Sequence, residues 1–167
     1  DPATLIKFTA SGELDEMATK KAFMGAQLPD QFVMPGFYGS DANGNIRFFP
    51  NNGSYISAAI LAAETKAKEL HVARCGVAGI PFMSPGIRTG SPNAIKTIDQ
   101  MSFEHARCLS SRSDSGILHR HALIWLTRER IPVRVFDLFD QGKPGTRICS
   151  TETLKHMRSG KVIGIAE

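Results

Sequence analysis

Apolar positions along this chain change period several times, and each change marks an element. Leu14, Met17, Ala18, Ala22 and Met24 recur at helical spacing over Glu13 to Ala26, and Pro29-Asp30 ends that helix. A second helix runs through Ile56 to Ala63, with Ser54 as its expected N-cap. Ser102 caps a further helix that carries Glu104 in its first turn, and another spans His119 to Arg130. Between them lie short strand-like runs: Leu5 to Phe8, a buried Gln31 to Met34, Leu70 to Ala73, Pro132 to Leu138 and Thr146 to Cys149. Asn43-Gly44 sets a hairpin turn, with Ile46 to Phe49 as its return strand. After Ala73 the glycines and prolines predict a long irregular stretch to about Thr97, of the kind that is usually functional or disordered. Helices alternating with strands predict a three-layer αβα sandwich with a mainly parallel sheet.

Composition changes this picture little. A chain of 167 residues fits one domain with a real core. The net charge of +4 is spread out, and Arg128-Glu129-Arg130 carries its own counter-charge, so a nucleic-acid footprint is not expected. No apolar run reaches the ~20 residues a spanning helix needs, so no membrane partner is expected either. The start, Asp1-Pro2-Ala3-Thr4, lacks the charged region of a signal peptide. Cys75, Cys108 and Cys149 form no Cys-x-x-Cys pair, which predicts reduced thiols, a cytoplasmic protein and no zinc site.

Candidate chemistry is sparse. Asn51-Asn52-Gly53-Ser54 precedes a helix, where unpaired amides and the dipole favour an anion. Every capped helix shares that geometry, so the signal is weak alone. His119 and His121, two residues apart, would leave a helix on different faces and make a poor metal pair. The serine-rich stretch Ser110 to Ser115 contains no Gly-x-Ser-x-Gly elbow and is expected to be a polar loop.

Several blocks in order nevertheless carry a specific resemblance. Phe32-Val33-Met34-Pro35-Gly36-Phe37-Tyr38-Gly39, Gly53-Ser54, Ile131 to Val135 and Pro144-Gly145-Thr146-Arg147-Ile148 resemble the kinase domain of aspartokinases. The bifunctional aspartokinase–homoserine dehydrogenase branch is the most similar. The resemblance covers the C-terminal part of that domain, residues 1–150. Val162-Ile163-Gly164-Ile165-Ala166 resembles the first strand of the ACT regulatory domain, which would make 151–167 a linker and the start of that domain. It implies the amino-acid kinase fold, ATP with Mg as cofactor, and L-aspartate as phosphoryl acceptor. It also implies a lysine-bearing Lys-Phe-Gly-Gly strand before Asp1.

The resemblance places the substrate at Asn51, Asn52, Gly53, Ser54 and Tyr55, and the nucleotide at Cys75, Gly76, Ile80, Pro81, Gly86 and Gly116. The family's charged groups are missing there. Gly-Arg-Gly-Gly-Ser-Asp becomes Asn51-Asn52-Gly53-Ser54-Tyr55 after Pro50, Thr-Asp-Val-Asp-Gly-Ile becomes Cys75 to Ile80, and Asp-Pro-Arg becomes Ser84-Pro85-Gly86. The nucleotide-contacting lysine is replaced by Gly116. Phosphoryl transfer rests on positioning and charge stabilisation, and losing one preorganised contact typically costs ~3–4 kcal/mol. No catalytic residue is therefore assigned. The expectation is an aspartokinase-family domain inactive as this isolated chain, or, as the alternative, a kinase-derived pseudoenzyme serving as scaffold. A homo-oligomer, or pairing with the family's N-terminal segment, is the expected partner state.

Overall fold

Asp1 accepts a hydrogen bond from the Ala3 amide and caps a single turn, α1 (Pro2–Leu5), with proline in the first turn, where its missing N–H leaves nothing unsatisfied. The expected strand over Leu5 to Phe8 is thereby shortened to β1 (Lys7–Phe8). The computed structural model describes residues 1–50, 52–76, 79–83, 95–112, 118–140 and 142–156. Asp15 caps α2 (Glu16–Gly25) through the Ala18 amide.

β1 pairs in parallel with β2 (Tyr38–Asp41), which turns back onto β3 (Ile46–Phe48) as the Asn-Gly signal predicts. This ladder corrects the strand expected at Gln31–Met34. Those residues lie outside any strand, with Val33 96% exposed and Phe32 40%. A four-residue apolar run cannot tell which segment will find a partner, and Tyr38–Asp41 fills the ladder on both sides.

The chain then enters α3 (Gly53–Glu64), β4 (Leu70–Arg74), β5 (Ile80–Met83) and β6 (Ile95–Ile98). β5 and β6 form an antiparallel ladder from Ile80↔Ile98 to Met83↔Ile95, so the stretch expected to be irregular holds a hairpin. Residues 84–94 lie outside the described residues. β7 (Gln100–Ser102), α4 (Phe103–Arg112), α5 (Arg120–Arg128), β8 (Val133–Asp137), β9 (Thr146–Cys149) and α6 (Thr151–His156) follow. Ser102 Oγ accepts from the His105 amide, the cap the sequence predicts.

The main sheet has the order β4-β8-β9-β7, with β4–β8 and β7–β9 parallel and β8–β9 antiparallel. Its apolar face carries Val72, Val133, Val135, Ile148 and Met101, in one cluster with Ile56, Ala59 and Ile60 of α3 and Ala122, Leu123 and Leu126 of α5. Each fully buried valine, leucine or isoleucine here contributes ~1.5–3 kcal/mol over its exposed state. Two-residue alternation in β8 and helical spacing in α3 and α5 thus meet in one core.

Candidate functional site

Two of the expected site groups fall at two ends of elements. The first sits where β3 leads into α3. Asn52, not Ser54, is the residue before the helix, and it takes a left-handed backbone (φ 63°) without a side-chain cap bond. The helix can start two residues earlier than a Ser54 cap would set because Gly53 has no side chain. A Cβ there would lie 2.4 Å from Phe49 Cβ and 2.9 Å from the Phe37 ring. Ser57 ties the same corner: its hydroxyl accepts from the Phe37 amide at 2.8 Å and donates to the Gly53 carbonyl at 3.1 Å. Ser54 is exposed and Tyr55 packs partly against the core. Asn51 lies outside the described residues.

The second group sits where β4 ends beside β8. Cys75 is exposed, and the Gly76 amide donates to Asp137 Oδ1 at 3.1 Å. Asp137 Oδ1 also accepts the Phe139 amide at 3.1 Å, so one carboxylate closes both strand ends. The Ile80 amide donates to Thr146 Oγ1 at 2.7 Å, and that hydroxyl donates to the Ile98 carbonyl. Gly145 (φ 73°) lets this clasp pass β8, since a Cβ would lie 2.1 Å from the Val135 carbonyl oxygen. Pro81 is exposed on β5 and has no amide proton. Gly86 and Gly116 lie outside the described residues.

A triphosphate with Mg needs free donors and charge, and the described members of this group do not fit that demand. The Gly76 and Ile80 amides are already engaged, and Cys75 and Pro81 supply no cation. The position expected for the substrate is similarly neutral, from Asn52 through Tyr55.

Open clefts lie elsewhere. One of about 390 Å³ borders Pro50, lined by Phe8, Phe49, Ile56, His121 and Trp125. Another of about 710 Å³ is lined by Lys20, Glu64, Trp125, Arg128 and Glu129. Burial pushes the Glu64 carboxyl up, against the pull of Lys20. Arg128 covers the Trp125 ring at 4.2 Å and pairs with Glu16 at 2.9 Å.

The histidines correct one expectation. His119 is the extended N-cap of α5, so its ring stands 5.0 Å from His121 rather than on another face. Its Nδ1 accepts the His121 amide, and burial, then the nearby His121 and Arg120 charges, hold its pKa down. Among the described residues no cluster of three or more metal-ligating side chains occurs. Burial likewise raises the Cys149 thiol.

Sequence reasoning missed Asp137, Thr146 and Ser57 as organisers of these corners. Asp137 had a visible signal: it shares the buried parity of Val133 and Val135, where an acid must find donors. Ser57 similarly sits beside Ile56 within the apolar run of α3.

With this geometry in place, the comparisons with known proteins define the class. The model of the amino acid kinase family matches residues 18–137, and the chain belongs to that family. Within it, the chain is aspartokinase-like over most of its length. It is 30% identical over 156 residues to the aspartokinase of Chlamydia trachomatis, covering 90% of this chain and 33% of that one. Against the aspartokinase of Pseudomonas aeruginosa the identity is 31% over 134 residues, 80% and 31% of the two chains.

Solved structures agree. The aspartate kinase of Clostridium acetobutylicum superposes with a TM-score of 0.74 at 29% identity, over 91% of this chain and 33% of that one. E. coli aspartokinase III, solved in complex with aspartate and ADP, gives a TM-score of 0.76 at 25% identity, over 89% and 33%. The fold is thus the α/β fold of the amino-acid kinases, present as a partial domain. The chain spans about a third of the length of the curated relatives it matches. Among the described residues, no helix is long and apolar enough to cross a membrane.

Proposed function

We propose that this chain is the C-terminal portion of an aspartokinase-type kinase domain that keeps the frame of the phosphotransferase without its chemistry. The ancestral reaction is transfer of the ATP γ-phosphoryl, with Mg, to the β-carboxylate of L-aspartate, the first step toward the aspartate-derived amino acids. One observation carries the reading. At the nucleotide position the backbone donors of Gly76 and Ile80 are closed onto Asp137 and Thr146, in a segment whose charged residues are replaced. A phosphate cradle works by leaving such amides open. The substrate loop repeats the pattern, with Gly53 packed on Phe37 and Phe49 but no charge for a carboxylate.

The same observation favours a scaffold role over residual turnover. Apolar packing of this frame persists where phosphotransfer groups do not, which suits a domain that positions a neighbouring regulatory module. Residues 151–167 would be the linker and the first strand of such an ACT-type module, in a cytoplasmic polypeptide. Phe48 and Ile46 on β3 are 64% and 48% exposed, and support self-association or pairing with the N-terminal segment of an aspartokinase-type domain.

A coupled ADP-release assay with ATP, Mg and L-aspartate, on the chain and on its natural full-length polypeptide, tests the reading. No aspartate-dependent turnover by either is expected. Turnover by the full polypeptide that is lost when Asn52 to Tyr55 are altered would overturn it.

A further inference from the structure

The helices that share the core cluster account for one face of the main sheet. On that side the row Leu70, Val133, Ile148 and Met101 crosses β4, β8, β9 and β7, and the last three residues are buried. One residue along, the opposite face presents His71, Arg134, Arg147 and Gln100 as direct partners across the same four strands. His71 is exposed and the other three are only partly buried. Parallel strand pairs such as β4–β8 and β7–β9 ordinarily have both faces covered. Among the described residues this row of the second face is basic and partly exposed, whereas Ser102 and Cys149 further along the same face are buried.

The charges on it are arranged at a cost. Arg134 and Arg147 are Cα partners on antiparallel strands, so their side chains begin about 5 Å apart, where like charges repel. Among the described residues a single carboxylate serves the row: Glu69 meets Arg147 Nη2 at 3.3 Å and His71 Nε2 at 2.8 Å. Arg134 Nε donates to the Pro144 carbonyl at 3.1 Å, and its guanidinium lies 5.2 Å from the Phe136 ring centroid. Among the described residues, the buried Arg147 Nε has no acceptor. Of the two permanent cations only Arg147 meets the Glu69 carboxylate, and among the described residues one buried guanidinium N–H has no partner. Burying a charged donor unpaired is unfavourable unless something supplies the acceptor.

We propose that this sheet face docks an acidic protein segment whose carboxylates bridge Arg134 and Arg147 while its apolar side chains cover Phe136. The row spans roughly 14 Å across four strands at ~4.8 Å spacing, which suits a chain segment better than one small anion. Planar guanidinium pairs match carboxylates in two-point geometry. The docking is independent of whether the polypeptide phosphorylates aspartate.

Fluorescence anisotropy on the full chain tests it, with a labelled 15-residue Glu/Leu peptide, its Gln/Leu counterpart, inorganic phosphate and heparin as probes. Saturable binding of the Glu/Leu peptide is expected, weakening as salt rises. Binding at least tenfold weaker is expected for the Gln/Leu peptide and for the Arg134→Gln/Arg147→Gln variant. That variant should melt close to the parent, because it removes a like-charge pair along with the partly exposed Arg147–Glu69 ion pair and the exposed Arg134–Pro144 hydrogen bond. If it fails to fold, the salt titration of the unaltered chain decides. Salt-insensitive binding, equal binding of the two peptides, or phosphate or heparin binding without peptide binding would overturn the proposal.

Discussion

The start of α3 and the end of β4, the corners proposed above as the substrate and nucleotide positions, are held by different forces. At α3 the backbone of Gly53 is pressed against Phe37 and Phe49, so the corner is set by shape. At β4 the corner is set by polar side chains borrowed from other strands, Asp137 from β8 and Thr146 from β9. Shape survives the loss of a ligand unchanged. Open amides at a strand end do not, because without a phosphate they need another acceptor. On the proposed reading, a frame outlasts its chemistry in this way: where the charged groups are absent, internal partners take up the backbone donors.

Substitutions can break this comparison. The largest effect is expected for Gly145→Ala at the strand-end clasp. Its Cβ would lie 2.1 Å from a backbone oxygen in a left-handed conformation, and backbone cannot step aside as a side chain can. Strain and overpacking together should cost about 3 kcal/mol or more in urea unfolding. Thr146→Val should follow at roughly 2–3 kcal/mol, since it strands the buried Ile80 amide and Ile98 carbonyl while keeping volume. Gly53→Ala should cost about 1–3 kcal/mol, because its conflict is with Phe37 and Phe49 side chains that can shift. A Gly53 variant clearly worse than Thr146→Val would mean that shape, rather than the polar clasp, dominates both corners.

The smallest effect appears only in acid. Burial alone would raise the Asp41 carboxyl, but the Asn45 and Arg47 side chains and the Asn45 and Asn43 amides outweigh it and hold the group below its ordinary 3.8. A carboxyl lowered by folding stabilises the fold above its unfolded value and loses that contribution as pH falls through its folded value. Melting temperature should therefore decline on acidification below about pH 4, and Asp41→Asn should flatten that decline. An unchanged acid limb in the variant would remove Asp41 from the account.

Much of the frame was legible in the chain. The Asn-Gly hairpin, the α3 and α5 periodicities and the alternation of β8 carry their own local physics, and the ordered blocks from Pro35 to Ile148 carried the family. What was hidden depends on partners distant in sequence. Gln31–Met34 looks like a strand, yet the ladder goes to Tyr38–Asp41, and nothing local says so. Ser54 is a good cap by type, but the room made by Gly53 against Phe37 and Phe49 moves the cap two residues back, to Asn52. The closure of Gly76 by Asp137 joins residues 61 apart, beyond any motif.

Isothermal calorimetry of the chain with Mg-ATP tests the central claim most directly. If the nucleotide corner has closed onto Asp137 and Thr146, no saturable heat should appear at micromolar concentrations. Clear one-site micromolar binding, weakened by substitution at Gly76, would show that the corner still opens for a nucleotide and would contradict the account.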